Sequence, residues 1–156
     1  MNAFAFNELS DVEFGEDLGT IRECAFLECR KLKRIALPLK GGMIERDAFD
    51  NCPELKTVDL VGGVHNTVAS LHLESWRNEM NNEINRINQV LPTLIGSKTE
   101  EMQQWMVSVT QQLNHYKNEH HNLLKEATTL LELALWNLHE HSSSILGLIS
   151  QIVTNS

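Results

Sequence analysis

The chain has 156 residues, 42% of them hydrophobic and 22% charged, with a formal net charge of −8. That length suits one domain with a real core, and that charge argues against a general binder of nucleic acid or of anionic lipid, which would need a basic face. The three cysteines are few, odd in number and without zinc spacing, which suits a reducing compartment and an intracellular, cytoplasmic setting.

The start, Met1 to Phe6, lacks the basic residues and apolar run of a secretion signal. No stretch reaches the length of a membrane-spanning helix.

A repeat dominates the first third. Ile21, Ala25, Phe26, Cys29, Leu32, Lys33, Ile35 and Leu37 return 23 residues later as Ile44, Ala48, Phe49, Cys52, Leu55, Lys56, Val58 and Leu60. Leu9, Val12 and Phe14 sit one further period upstream, and Ala3-Phe4 is one residue out of register. Ile35-x-Leu37 and Val58-x-Leu60 alternate with period two, which predicts short strands. Ala-Phe-x-x-Cys-x-x-Leu has the spacing of a single helical turn and predicts the opposite wall. Gly41-Gly42 supplies a turn between units. One unit cannot bury its own apolar face, so neighbouring units must stack.

The second part has a different grammar. Val68, Leu71, Trp76, Met80, Ile84, Ile87 and Leu91 follow one face of a predicted helix that Pro92 ends. Ser97-Lys-Thr-Glu100 reads as a capping box. Met102, Met106, Val109, Leu113, Tyr116, His120, Leu123, Ala127, Leu130 and Ala134 are spaced four and three in alternation, the coiled-coil period. A helix over 98–138 would be roughly 60 Å long and the one before it only about 35 Å. The apolar stretch Leu130–Trp136 therefore needs another cover. The tail from Ile145 to Val153 has helical spacing and is expected to fold back over it.

The 23-residue pattern resembles the BspA-type leucine-rich repeat family over residues 1 to about 61. The resemblance implies a curved solenoid that serves as a binding surface. The stretches Leu71–Arg77 and Leu123–Trp136 also resemble the region that follows such repeats in proteins of unicellular algae, from which no activity carries over. The ending after Trp136 departs from that pattern.

The fold expected is α+β: a short leucine-rich-repeat solenoid followed by an antiparallel helical hairpin with a long second helix. Residues 1–63 form about two and a half repeats, 64–138 the hairpin and cap, and 139–156 an apolar tail or short helix. The outward strand positions are the candidate partner-binding face. They are Arg34 with Ala36, and Thr57 with Asp59, preceded by Asp11 and Glu13, with Lys33 and Lys56 at the edge. Leu130 and Trp136 are a second candidate contact. Trp76 and Trp105 read as packing residues. Cys29 and Cys52 share one repeat position, where a small buried side chain or a disulfide both fit. The seven histidines show no zinc spacing, and Gly41-Gly42 and Gly62-Gly63 lack the context of a phosphate loop. The expectation is thus a non-enzymatic interaction protein without cofactor or metal, its partner a protein. Pairing of the long helix between two copies is the alternative.

Overall fold

The computed structural model describes residues 8–154. Ala3-Phe4 of the degenerate first unit lies outside them. Strands β1 (Asp11–Glu13), β2 (Arg34–Leu37) and β3 (Thr57–Leu60) form a parallel sheet in that order. Their register is one repeat: Asp11 faces Arg34, Arg34 faces Thr57, and Ile35 faces Val58. Helices α1 (Gly63–Ala69), α2 (Glu74–Val90) and α3 (Lys98–Thr154) follow, with a 3₁₀ turn at Leu91–Thr93. The chain divides into two compact units, Met1–Tyr116 and Lys117–Ser156.

In the first unit the repeat residues build the core. Ile35, Leu37, Val58 and Leu60 point inward from the strands, and Phe26, Cys29, Phe49 and Cys52 meet them from the opposite wall. The rings of Phe26 and Phe49 stack at 5.3 Å, and Phe14 meets Phe26 edge-on at 5.9 Å. Same-type side chains thus lie over one another at each step, as repeat stacking requires. Ala36, expected to point outward, is only 1% exposed. The register sets Glu13 and Asp59 on either side of it, so the smallest side chain lies in a trough between longer ones.

The wall opposite the sheet turns through left-handed backbone at repeat-equivalent places. Cys24 and Asp47 have φ of 56°, Glu28 58° and Asn51 55°. Asp and Asn tolerate this region; Cys and Glu pay for it sterically. The cysteines are thiols, with Cys29 and Cys52 buried. The Cys52 thiol donates to the Phe26 carbonyl at 3.0 Å. Burial pushes its pKa up to about 11 from 9.0.

The helical part differs from the sequence expectation in two places. The first helix is broken: α1 ends at Ala69 and α2 begins at Glu74. The break lets Leu71 turn into the core, with its amide donating to the Val68 carbonyl and its carbonyl accepting from Arg77 at 2.9 Å. At Pro92 the α-helix does end as expected: α2 stops at Val90, and Pro92 sits in the first turn of the 3₁₀ segment, where a missing N–H costs nothing. Most consequentially, α3 does not end near residue 138. The stretch His139–Ser144 contains no proline or glycine, so the helix runs on to Thr154. Ile145 and Leu146 are accordingly exposed on that helix, and do not fold back over Leu130–Trp136.

Within the first unit α3 packs on α2 through Trp105, whose ring nitrogen donates to the Glu83 carbonyl at 3.2 Å, and through Trp76 stacked on Tyr116 at 5.2 Å. Arg86 donates to Glu101 at 2.9 Å, and the Tyr116 hydroxyl donates to Glu79. As positions on α2 rise from 76 to 86, their partners on α3 fall from 116 to 101. Met80, Ile84 and Ile87 of α2 and Met102, Met106 and Val109 of α3 are buried there.

Replacing Glu28 by Asn, the residue at the equivalent place one repeat on, should relieve the left-handed strain and raise stability by about 0.5–1 kcal/mol in urea unfolding. A loss of stability would show that the side chain of Glu28 matters more than its backbone.

Cys52 also sets an alkaline limit. Its raised value means the folded chain holds a proton that the unfolded chain releases. Its stabilising contribution is complete below pH 9 and is lost as pH climbs to about 11. Across that window stability should fall by roughly 1.4 kcal/mol per pH unit more in the wild type than in Cys52→Ala. Lys98 acts in the opposite direction, because burial holds its ammonium below 10.5. The part that burial causes is common to both proteins, whereas the coupling between Lys98 and Cys52 is removed with the thiol and belongs to the difference. Parallel pH profiles for the two would refute the assignment.

Candidate interaction surfaces

A parallel stack must dispose of the hydrogen-bonding groups on its last coil. Between the described coils the chain does this with its own backbone. Phe26 N–H donates to the Ala48 carbonyl at 2.8 Å, and Glu45 N–H donates to the Ile21 carbonyl at 2.8 Å. The amides of Lys56 and Thr57 both donate to the Lys33 carbonyl at 3.1 Å.

The coil that ends in β3 has no following coil, and four side chains stand in for one. Phe49 N–H donates to the Thr99 hydroxyl at 2.9 Å, where Phe26 has a carbonyl. The Ile44 carbonyl accepts from the Gln103 amide at 2.9 Å, where Ile21 has an N–H. Asn88 faces Val58 with both halves of its amide, accepting from the N–H at 2.7 Å and donating to the carbonyl at 3.0 Å. A carboxamide carries the same donor and acceptor as a peptide group, so Asn88 imitates one residue of an absent fourth strand. Lys98, 1% exposed, donates to the carbonyls of Leu55 at 2.6 Å and Pro53 at 3.2 Å. Thr99 also donates to Asp50 at 2.6 Å. The Lys98 and Thr99 side chains of the expected capping box are thus turned toward the repeats. Sequence reasoning missed all four residues. The one available signal was a polar or charged residue at a position that the fold buries.

The outward strand face holds the candidates Arg34, Thr57 and Asp59 together. Arg34 donates to Asp59 at 3.0 Å and lies 3.8 Å from Glu13. The hydrogen bond to Asp59 and the nearby acids hold the Arg34 guanidinium above its ordinary value. Both partners are about one-third exposed, and such surface pairs contribute only about 0–1 kcal/mol. Lys33 and Lys56 are exposed at the sheet's rim, Lys56 pairing with Glu54 at 3.3 Å. The remaining candidates, Leu130 and Trp136, belong to the second unit, 67% and 64% exposed.

Among the described residues one grouping has metal-ligand spacing: Glu23, Cys24 and Asp47, with ligand atoms within 4.8 Å of one another. Arg46 pairs with Glu23 and lies 3.5 Å from Asp47, so the cluster already holds its cation. No described helix is long and apolar enough to cross a membrane.

One strand per 23-residue unit, a stacked apolar interior and an end closed by helices define a repeat protein. Residues 1–99 match the family described as BspA type leucine rich repeat region (6 copies), and the chain belongs to that family. The match extends past β3 through α1 and α2 to the start of α3, beyond the visible repeats. No curated protein and no solved structure matches the chain.

Asn88→Ala would strip both groups of Val58 of their partner. We expect a loss of about 1–3 kcal/mol in urea unfolding, since unpaired buried groups bear the full desolvation cost. The opened edge should also raise light scattering on storage. A change under about 0.5 kcal/mol, the size typical of plain surface substitutions, would show that water replaces the amide there at no cost.

Proposed function

We propose that the protein is a non-enzymatic interaction module. It is a short leucine-rich-repeat solenoid closed by an antiparallel hairpin of α2 and the first part of α3, and its strand face holds a partner protein. One observation carries this reading. At equivalent repeat positions the inward residues are kept alike, Ile35 with Val58 and Leu37 with Leu60, whereas the outward ones differ, Arg34 from Thr57 and Ala36 from Asp59. Core packing explains the first set. Arg34, Thr57 and Asp59 are half-buried on the outer face and lie outside the core, with Ala36 sunk between Glu13 and Asp59, and in a repeat protein such outer positions carry recognition.

The face favours a protein over a polyanion. Asp11, Glu13 and Asp59 surround its single Arg34, with Lys33 and Lys56 confined to the rim. A phosphate backbone would meet repulsion at the centre. The three thiols support an intracellular, cytoplasmic setting. The family's general use as a binding scaffold adds support, although fold alone does not assign a partner.

The test is affinity capture with the immobilised protein, followed by quantitative mass spectrometry. Proteins retained by the wild type should fall at least tenfold on Arg34→Glu combined with Asp59→Lys. Leu130→Glu in α3 should leave them bound. The exchange keeps the net charge of the face, so loss would report a specific pattern. Retention indifferent to the strand-face variant would remove this face as the contact.

A further inference from the structure

We infer that the second unit is a self-association element, in which α3 from Leu123 to Val153 pairs with the same segment of a second copy. This is an interface separate from the strand face and does not depend on it.

At about 100° per residue, most apolar side chains of this segment fall in one stripe that runs its whole length and spans roughly 160°, with Leu133 and Trp136 outside it. Leu124, Leu131, Leu135, Leu138, Ile145 and Ile149 are 52–65% exposed along it. Lys125, Glu132 and Glu140 lie on the opposite side. Monomers rarely leave so large a patch bare, because each leucine or isoleucine held in water forgoes about 1.5–3 kcal/mol.

Three observations select a second copy as the occupant. The first is continuity with a formed interface. In the first unit Met102, Met106, Val109 and Tyr116 are buried in the seam with α2, which has reached Trp76 opposite Tyr116 and then runs out. The four-three spacing goes on in sequence through Leu123, Ala127, Leu130 and Ala134. A seam of that period is made for another helix. The second is area. The stripe offers on the order of 1,000 Å² per copy, against the roughly 800 Å² that each partner gives to a standard interface. The third is charge. A lipid surface would call for lysines and arginines along the polar face, and this face carries Glu126, Glu132 and Glu140 against Lys125. An identical helix brings the matching period without that requirement.

The experiment uses the full chain in size-exclusion chromatography with light scattering over a wide concentration range. We expect at least twice the chain mass of 17.7 kDa, and single-chain mass for Leu131→Glu combined with Leu138→Glu. Circular dichroism should show the helix retained. The milder Leu131→Ala with Leu138→Ala keeps helix propensity and should raise the dissociation midpoint at least tenfold. Lys125→Ala with Glu132→Ala on the opposite side should change nothing. A mass of 17.7 kDa at every concentration would overturn the inference. So would an assembly indifferent to both leucine variants. Single-chain mass together with co-sedimentation on phosphatidylcholine–phosphatidylserine vesicles, lost in Leu131→Glu with Leu138→Glu, would give the stripe to lipid instead.

Discussion

The first unit depends on one constraint: every amide and carbonyl on the last coil of a parallel stack must find a partner. Burying a peptide group without one costs as much as several surface ion pairs contribute. Between coils the backbone meets this need without any particular side chain. At Ile44, Phe49, Leu55 and Val58 it is met by Gln103, Thr99, Lys98 and Asn88. The helices therefore do more than cover apolar surface. They present polar atoms at the places where a further coil would put its backbone, which fixes how α2 and the start of α3 lie on β3.

That arrangement divides the labour among residues. Inward positions of each repeat are interchangeable apolar side chains, and the stacked pair Phe26 and Phe49 shows how closely one coil copies the next. The closing positions are unique and cannot be exchanged, because each meets one backbone group. The outward positions answer to neither requirement. The outer side chains of this chain can therefore differ between coils without disturbing the stack.

The repeats were legible in the sequence because their signal is local. Ile35-x-Leu37 and Val58-x-Leu60 gave strands from alternation alone, and the eight shared positions gave the register that the sheet has. The rest was not legible for physical reasons. Nothing in Cys24 or Glu28 announces left-handed backbone, which the stacking of neighbouring coils imposes. Asn88 and Gln103 look like ordinary polar residues of a surface helix, and their partners lie 30 and 59 positions away. The gap between α1 and α2 arises because burying Leu71 outweighs helix continuity, a tertiary choice that spacing cannot show. The end of α3 was misjudged for the opposite reason. An end near residue 138 has no physical stop behind it, since a helix stops at a breaking residue or a cap and His139–Ser144 contains neither.

The side-chain closure makes the length of the array a free parameter. Each coil passes the same hydrogen-bond pattern to the next, and among the described residues the side chains of the helices bond the backbone of the coil ending in β3. A copy of residues 38–60 inserted after Leu60 would offer the cap the same groups as before, since Val58 and Leu60 would recur one period on. The molecule could then be lengthened like a ruler by whole divisions of 23 residues, whereas an insertion of any other size would set Asn88 against the wrong peptide.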